Sequence, residues 1–120
     1  MTKKILVADD EPSVREFVTR ALTHAGFSVT PVADGNAALK ALAEESYDLL
    51  LTDIVMPDLD GIALALKVAK DHPQTKIVMM SGYANQRQRA HNLDSLVLDV
   101  IAKPFTLEEI TRRITAALED

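Results

Sequence analysis

Residues 49–61 read Leu-Leu-Leu-Thr-Asp-Ile-Val-Met-Pro-Asp-Leu-Asp-Gly, a charge-free apolar run that stops at a carboxylate, Asp53, with a proline, two more acids and a glycine close behind. A strand with no polar side must be covered on both faces, which is the situation of a strand in a parallel sheet. Three other segments follow the same plan. Ile5 to Ala8 ends at Asp9-Asp10-Glu11-Pro12, Lys76 to Ser81 is followed by Gly82, and Leu96 to Ala102 ends at Lys103-Pro104-Phe105. Phe27 to Val32 alternates apolar and polar residues instead, as a strand nearer a sheet edge does.

Between these runs the spacing becomes helical. Pro12 suits a first helical turn, where its missing N–H costs nothing, and Val14, Phe17, Val18, Ala21, Leu22 and Ala25 recur on one stripe up to a stop at Gly26. Asp34-Gly35 opens a second helix carrying Ala37, Ala38, Ala41 and Leu42, which closes near Ser46. Ile62, Leu64, Ala65, Leu66, Val68 and Ala69 make a third that ends before His72-Pro73, and Asn85 to Asn92 makes a weak fourth. Thr106 caps the last helix, with Glu108 and Glu109 where the dipole favours them and Leu107, Ile110, Ile114, Ala117 and Leu118 as its buried stripe. Five strands alternating with five helices predict an α/β fold with a doubly wound, five-stranded parallel sheet. The strand order 2-1-3-4-5 fits best and sets the first and third strands side by side.

At 120 residues the chain is expected to form one domain over 1–120, with no effector domain. Aromatic residues are only 4%, so the core must come from aliphatic side chains and Met. The absence of cysteine excludes disulfides and thiolate metal sites and fits a reducing compartment. A net charge of −5 argues against nucleic acid and anionic membranes as partners. No stretch is long enough for a signal peptide or membrane span, so a soluble, cytoplasmic chain is expected.

The predicted strand order brings Asp9, Asp10 and Asp53 to adjacent tips. Three crowded carboxylates resist ionising unless a cation joins them. Mg²⁺ suits such a site, since it takes one or two carboxylates, keeps several waters and completes its shell with phosphate oxygens. Ser81 and Lys103 reach the same edge from the fourth and fifth strands, and a hydroxyl and an ammonium there could stabilise a transferring phosphoryl group. Asp53 would be the nucleophile, forming an acyl phosphate. Each feature alone has a plainer reading as a cap, turn or solvated charge. His24, His72 and His91 share no ligand spacing, and Arg87, Arg89, Arg112 and Arg113 read most simply as solvated helix faces.

Taken together, Asp9-Asp10-Glu11-Pro12, Asp53 with Met56-Pro57 and Asp60-Gly61 behind it, Ser81-Gly82, and Lys103-Pro104-Phe105 resemble a bacterial response-regulator receiver domain across the whole chain. The resemblance implies a flavodoxin-like (βα)5 fold, and the choice of strand order rests partly on it. It further implies that Asp53 accepts phosphate from a histidine kinase or histidine phosphotransfer protein, with no other enzymatic activity. Asp10, Asp53 and the backbone carbonyl of Val55 would bind Mg²⁺ directly and Asp9 through water. Ser81 and Lys103 would hold the phosphoryl oxygens, and Pro104 would follow a cis peptide bond. Asp53-Ile54-Val55-Met56-Pro57, Ser81-Gly82-Tyr83 and Val100 most resemble the CpdR-type single-domain receivers, which prime an AAA+ protease unfoldase for substrate delivery. A phosphorelay or kinase-regulating role is the alternative.

Two departures from the family pattern stand out. Val100 occupies the position, three before the lysine, where most receivers carry a Tyr or Phe that swings inward, and the segment from Ala84 to Leu98 lacks the usual Ala-Gly-Ala. A remodelled output face is therefore expected. Val55 and Tyr83 orient water poorly, which implies slow self-dephosphorylation. A rival reading takes Asp58-Leu59-Asp60-Gly61 as the DxDG motif of haloacid-dehalogenase-type phosphatases, whose first Asp ends a strand. Another is a flavodoxin-type FMN binder, which the clustered acids and scarce aromatics oppose.

Overall fold

The computed structural model of the chain describes residues 2–82, 93 and 95–119. The strands Lys4–Ala8 (β1), Ser28–Val32 (β2), Leu49–Asp53 (β3), Lys76–Ser81 (β4) and Asp99–Ala102 (β5) pair in parallel in the order β2-β1-β3-β4-β5. Four helices are described: Pro12–His24 (α1), Gly35–Glu44 (α2), Gly61–Asp71 (α3) and Leu107–Leu118 (α4). The helix expected over 85–92 lies outside the described residues.

Strand alternation divides the core in two. Leu6, Leu50 and Met79 point to one face, where Leu42 of α2 and Leu64 and Val68 of α3 cover them. Ile5, Val7, Leu49, Leu51, Val78, Met80 and Ile101 point to the other, against Val18 and Leu22 of α1 and Ile110 and Ile114 of α4. Both faces being dry is why the strand sequences carry no polar alternation, and each fully buried aliphatic side chain contributes roughly 1.5–3 kcal/mol. The odd-numbered positions of β1 and β3 face α1 and α4, so Asp9 and Asp53 emerge on that same side of the sheet.

The edge strand β2 is the one that alternates, and it carries Pro31 opposite Val7. Ser28 donates to the Lys3 carbonyl and the Val32 carbonyl accepts from Asp9, so the even positions of β2 bond to its neighbour. Pro31 therefore faces outward, where a missing N–H breaks no ladder bond.

Two expectations need correction. The last strand begins at Asp99, not Leu96. Leu96 and Val97 both donate to the Leu93 carbonyl in a turn, and Val97 is buried from that turn. Apolar spacing does not distinguish such a turn from a strand. Leu107, expected in the buried stripe of the last helix, is 47% exposed. It opens α4 beyond the last residue of β5, so that first turn overhangs the sheet, while Ile110 and Ile114 lie over it. Phe17, on the apolar spacing of α1, is half exposed and packs against Phe105 with ring centroids 6.2 Å apart.

Candidate functional site

β1 ends by delivering Asp9, which is fully buried, and β3 ends with Asp53, which is 8% exposed. The Asp9 N–H donates to the Val32 carbonyl at 3.2 Å, which ties the strand tip to β2. Asp9 Oδ1 accepts from the Glu11 N–H at 2.9 Å, and Asp53 Oδ1 accepts from the Ile54 N–H at 2.9 Å. Lys103, just past β5, sets its Nζ 3.3 Å from Asp9 Oδ2 and 3.3 Å from Asp53 Oδ1. A cis peptide bond joins Lys103 to Pro104, and the Lys103 N–H donates to the Ser81 carbonyl at 2.8 Å. Asp10 is exposed, yet one carboxylate oxygen from each of Asp9, Asp10 and Asp53 falls within 4.8 Å of the others.

The electrostatics follow from that placing. Burial pushes the Asp53 carboxyl above the usual range; Lys103 opposes the shift, and Asp9 adds to it. Burial works against the Lys103 charge, but Asp53 and Asp9 outweigh it, so its pKa is raised. Three carboxylates against one ammonium leave two negative charges in excess. A divalent cation with oxygen ligands balances that excess, and the donors are all hard oxygens of the kind Mg²⁺ takes, so the residues present fit the ion.

Beyond Asp53 the chain turns back on itself. The Gly61 N–H donates to the Ile54 carbonyl at 2.7 Å, and a Cβ added at Gly61 would lie 2.1 Å from the Asp53 carbonyl oxygen. Only glycine allows α3 to start this close to the end of β3. Within the turn Asp58 has φ +65°, a left-handed conformation that Asp tolerates better than most residues. Asp60 caps α3, accepting from the Ala63 N–H at 2.9 Å. The DxDG reading fails here, because Asp58 is an exposed turn residue and the strand ends at Asp53.

Asp9, Asp10, Asp53 and Lys103 are thus brought together as expected. Ser81 ends β4, buried, one residue beyond Met80, the register partner of Asp53. Val55 is half exposed and, with Val14, Phe17 and Phe105, lines a groove of about 650 Å³ beside Asp53 and Lys103. Tyr83 and His91 lie outside the described residues.

Two arginines carry more than the sequence reading gave them. Arg113 is no solvated charge. Its Nε donates to Asp99 Oδ2 at 2.8 Å, and its Nη2 donates to Asp99 Oδ1 and, at 3.2 Å, to the Val100 carbonyl. That fork ties α4 to the start of β5, at Asp99 and Val100. Arg15 donates from Nη1 to the Asp9 carbonyl at 2.8 Å. Neither contact has a local periodicity that would betray it; the one available signal is a basic residue near the start of α1, where the helix dipole disfavours it.

Comparison with known proteins follows the geometry. The family model for the response regulator receiver domain matches residues 5–115. The chain is 38% identical to the response regulator receiver protein CpdR of Brucella abortus over 116 residues, 97% of each chain. It is 31% identical to the transcriptional regulatory protein SrrA of Staphylococcus aureus, covering 98% of this chain but 48% of SrrA, so it spans about half of that relative. Response regulator protein TrrA of Thermotoga maritima, solved in complex with Mg(2+)-BeF, superposes with a TM-score of 0.87 at 28% identity, covering 97% of this chain and 99% of TrrA. A match over nearly the whole sheet, with the acidic cluster at its carboxyl edge, makes this chain a member of the response regulator receiver domain family.

Proposed function

We propose that the chain is a phosphate-accepting switch of a two-component or phosphorelay system, with Asp53 as the acceptor. A carboxylate oxygen of Asp53 forms a bond to phosphorus as the bond to the donor's imidazole nitrogen breaks; the nitrogen keeps that electron pair. Asp10, Asp53 and the Val55 carbonyl would hold Mg²⁺ directly and Asp9 through water, and the ion when bound offsets charge on the phosphoryl oxygens. Lys103 exchanges part of its contact with Asp53 for one with a phosphoryl oxygen, and the Ser81 hydroxyl donates to another. The observation that carries this reading is one ammonium 3.3 Å from two buried carboxylates at the sheet edge that Asp10 shares.

The phosphodonor is a histidine kinase or a histidine phosphotransfer protein. Phosphate on Asp53 then alters contacts with a downstream protein in the cytoplasm; neither nucleic acid nor membrane is the partner. No helix among the described residues is long and apolar enough to cross a membrane. Likeness to CpdR over 97% of both chains supports an AAA+ protease unfoldase as that downstream protein. An adaptor binds the unfoldase in one phosphorylation state, whereas a relay passes its phosphate to a second histidine.

Intact mass after incubation with acetyl phosphate and Mg²⁺ tests the chemistry. The expected result is a single phosphate adduct that disappears in Asp53→Asn. An adduct that persists in that variant would place the chemistry elsewhere.

A further inference from the structure

We infer that Arg15 is a positioning residue for the acidic site: its guanidinium pins the peptide that joins Asp9 to Asp10, and so sets where the Asp10 carboxylate points. The inference rests on the phosphate-accepting role proposed for the cluster. Arg15 is the fourth residue of α1, and its Nη1 reaches back six positions to the Asp9 carbonyl at 2.8 Å. That carbonyl and the Asp10 N–H belong to one planar peptide unit, so holding the oxygen holds the plane from which Asp10 departs.

Asp10 needs such a hold. It is exposed, and among the described residues its carboxylate makes no hydrogen bond or ion pair, so only its backbone orients it. Asp9, by contrast, is committed throughout: its N–H to Val32, Oδ1 to the Glu11 N–H and Oδ2 to Lys103.

The start of α1 also lacks the ordinary means of fixing a loop to a helix. Asp34, Asp60 and Thr106 each cap their helices with a side-chain oxygen, but Glu11, at the head of α1, makes no side-chain cap bond. The one described helix that begins without a side-chain cap bond is the one that directly follows Asp9 and Asp10. Arg15 supplies the missing tether. A cation in that first turn is disfavoured by the helix dipole and would repel an incoming Mg²⁺, so charge alone does not account for its place. Directed hydrogen bonding does.

MgCl₂ titrated into ¹⁵N-labelled protein reads this out without phosphate, since the Glu11 and Ile54 amides donate to the Asp9 and Asp53 carboxylates. Arg15→Met is expected to weaken the Mg²⁺ Kd about tenfold, the scale of losing a group that orients a metal ligand. Arg15→Lys, which keeps a donor, should recover part of the loss; it is also the variant to titrate if Arg15→Met does not fold, with a smaller weakening expected. A Kd that is unchanged or tighter, whatever happens to the melting temperature, would overturn the inference. A wild type that shows no saturable Mg²⁺ shift would instead sink the functional reading, and this inference with it.

Discussion

Ionised Asp53 sits 8% exposed beside a second buried carboxylate, and one shared ammonium does not offset both. Its pKa is raised, so the folded state holds the proton more tightly than the unfolded chain does. The stability linked to that proton is fully present below the unfolded value, about pH 4, and is lost as pH rises through the higher folded one. At neutral pH the charge is therefore a net cost. Asp53→Asn should be more stable than wild type at about pH 7, by about 1 kcal/mol, and the gap should close toward pH 4. Urea unfolding at the two pH values measures it; equal stability at pH 7 would mean that Lys103 fully compensates the burial. The stretch of chain that looked richest in acids divides on the same grounds. Asp53 is a buried strand end, while Asp58 and Asp60 are a turn and a cap.

At the level of elements, the meeting of β3 and α3 is the tightest joint near the site. Gly61→Ala would place a methyl 2.1 Å from the Asp53 carbonyl oxygen and 2.9 Å from the Ile54 Cα, both backbone atoms. The helix or the strand end must shift, at a cost of about 2 kcal/mol. Because the strand end is Asp53, phosphorylation by acetyl phosphate should slow as well. Gly26→Ala makes a matched control: its φ of +104° penalises a side chain, but no atom lies within 4 Å, so stability should fall without any change in acceptor rate. A Gly61→Ala protein with wild-type denaturation midpoint and rate would refute the joint.

Which elements could be read from residues alone follows a physical divide. Asp9, Asp53, Ser81 and Lys103 were legible because each ends an apolar run, and parallel strands all open on the same edge. The Arg113 fork on Asp99 and Val100 was not, since it joins two elements whose relative placing no periodicity encodes. Nor was the turn that carries Leu96 and Val97, which pack against the core without pairing as a strand. The charged fork ends on the backbone carbonyl of Val100, the residue whose side chain prompted the expectation of an altered output face.

For the whole molecule, the site is where the sheet's central strands and its last strand meet, so ligation there should stabilise the entire fold. Mg²⁺ at about one hundred times its Kd should add about 2.7 kcal/mol to unfolding, and Asp10→Asn should remove most of that gain. Thermal unfolding with and without MgCl₂, with CaCl₂ as the size control, measures it; no shift would mean that the cluster does not take the ion. The long reach of the Lys103–Asp9 contact, 94 positions apart along the chain, has a further consequence. During synthesis, Asp9 and Asp53 leave the ribosome well before Lys103 does. A chain halted before that lysine carries both acids without their shared counter-charge, and it lacks α4, whose Ile110 and Ile114 help cover one face of the sheet. On the acceptor role proposed for Asp53, a copy that ends before Lys103 is expected to take up no phosphate, so that phosphate would mark a finished fold.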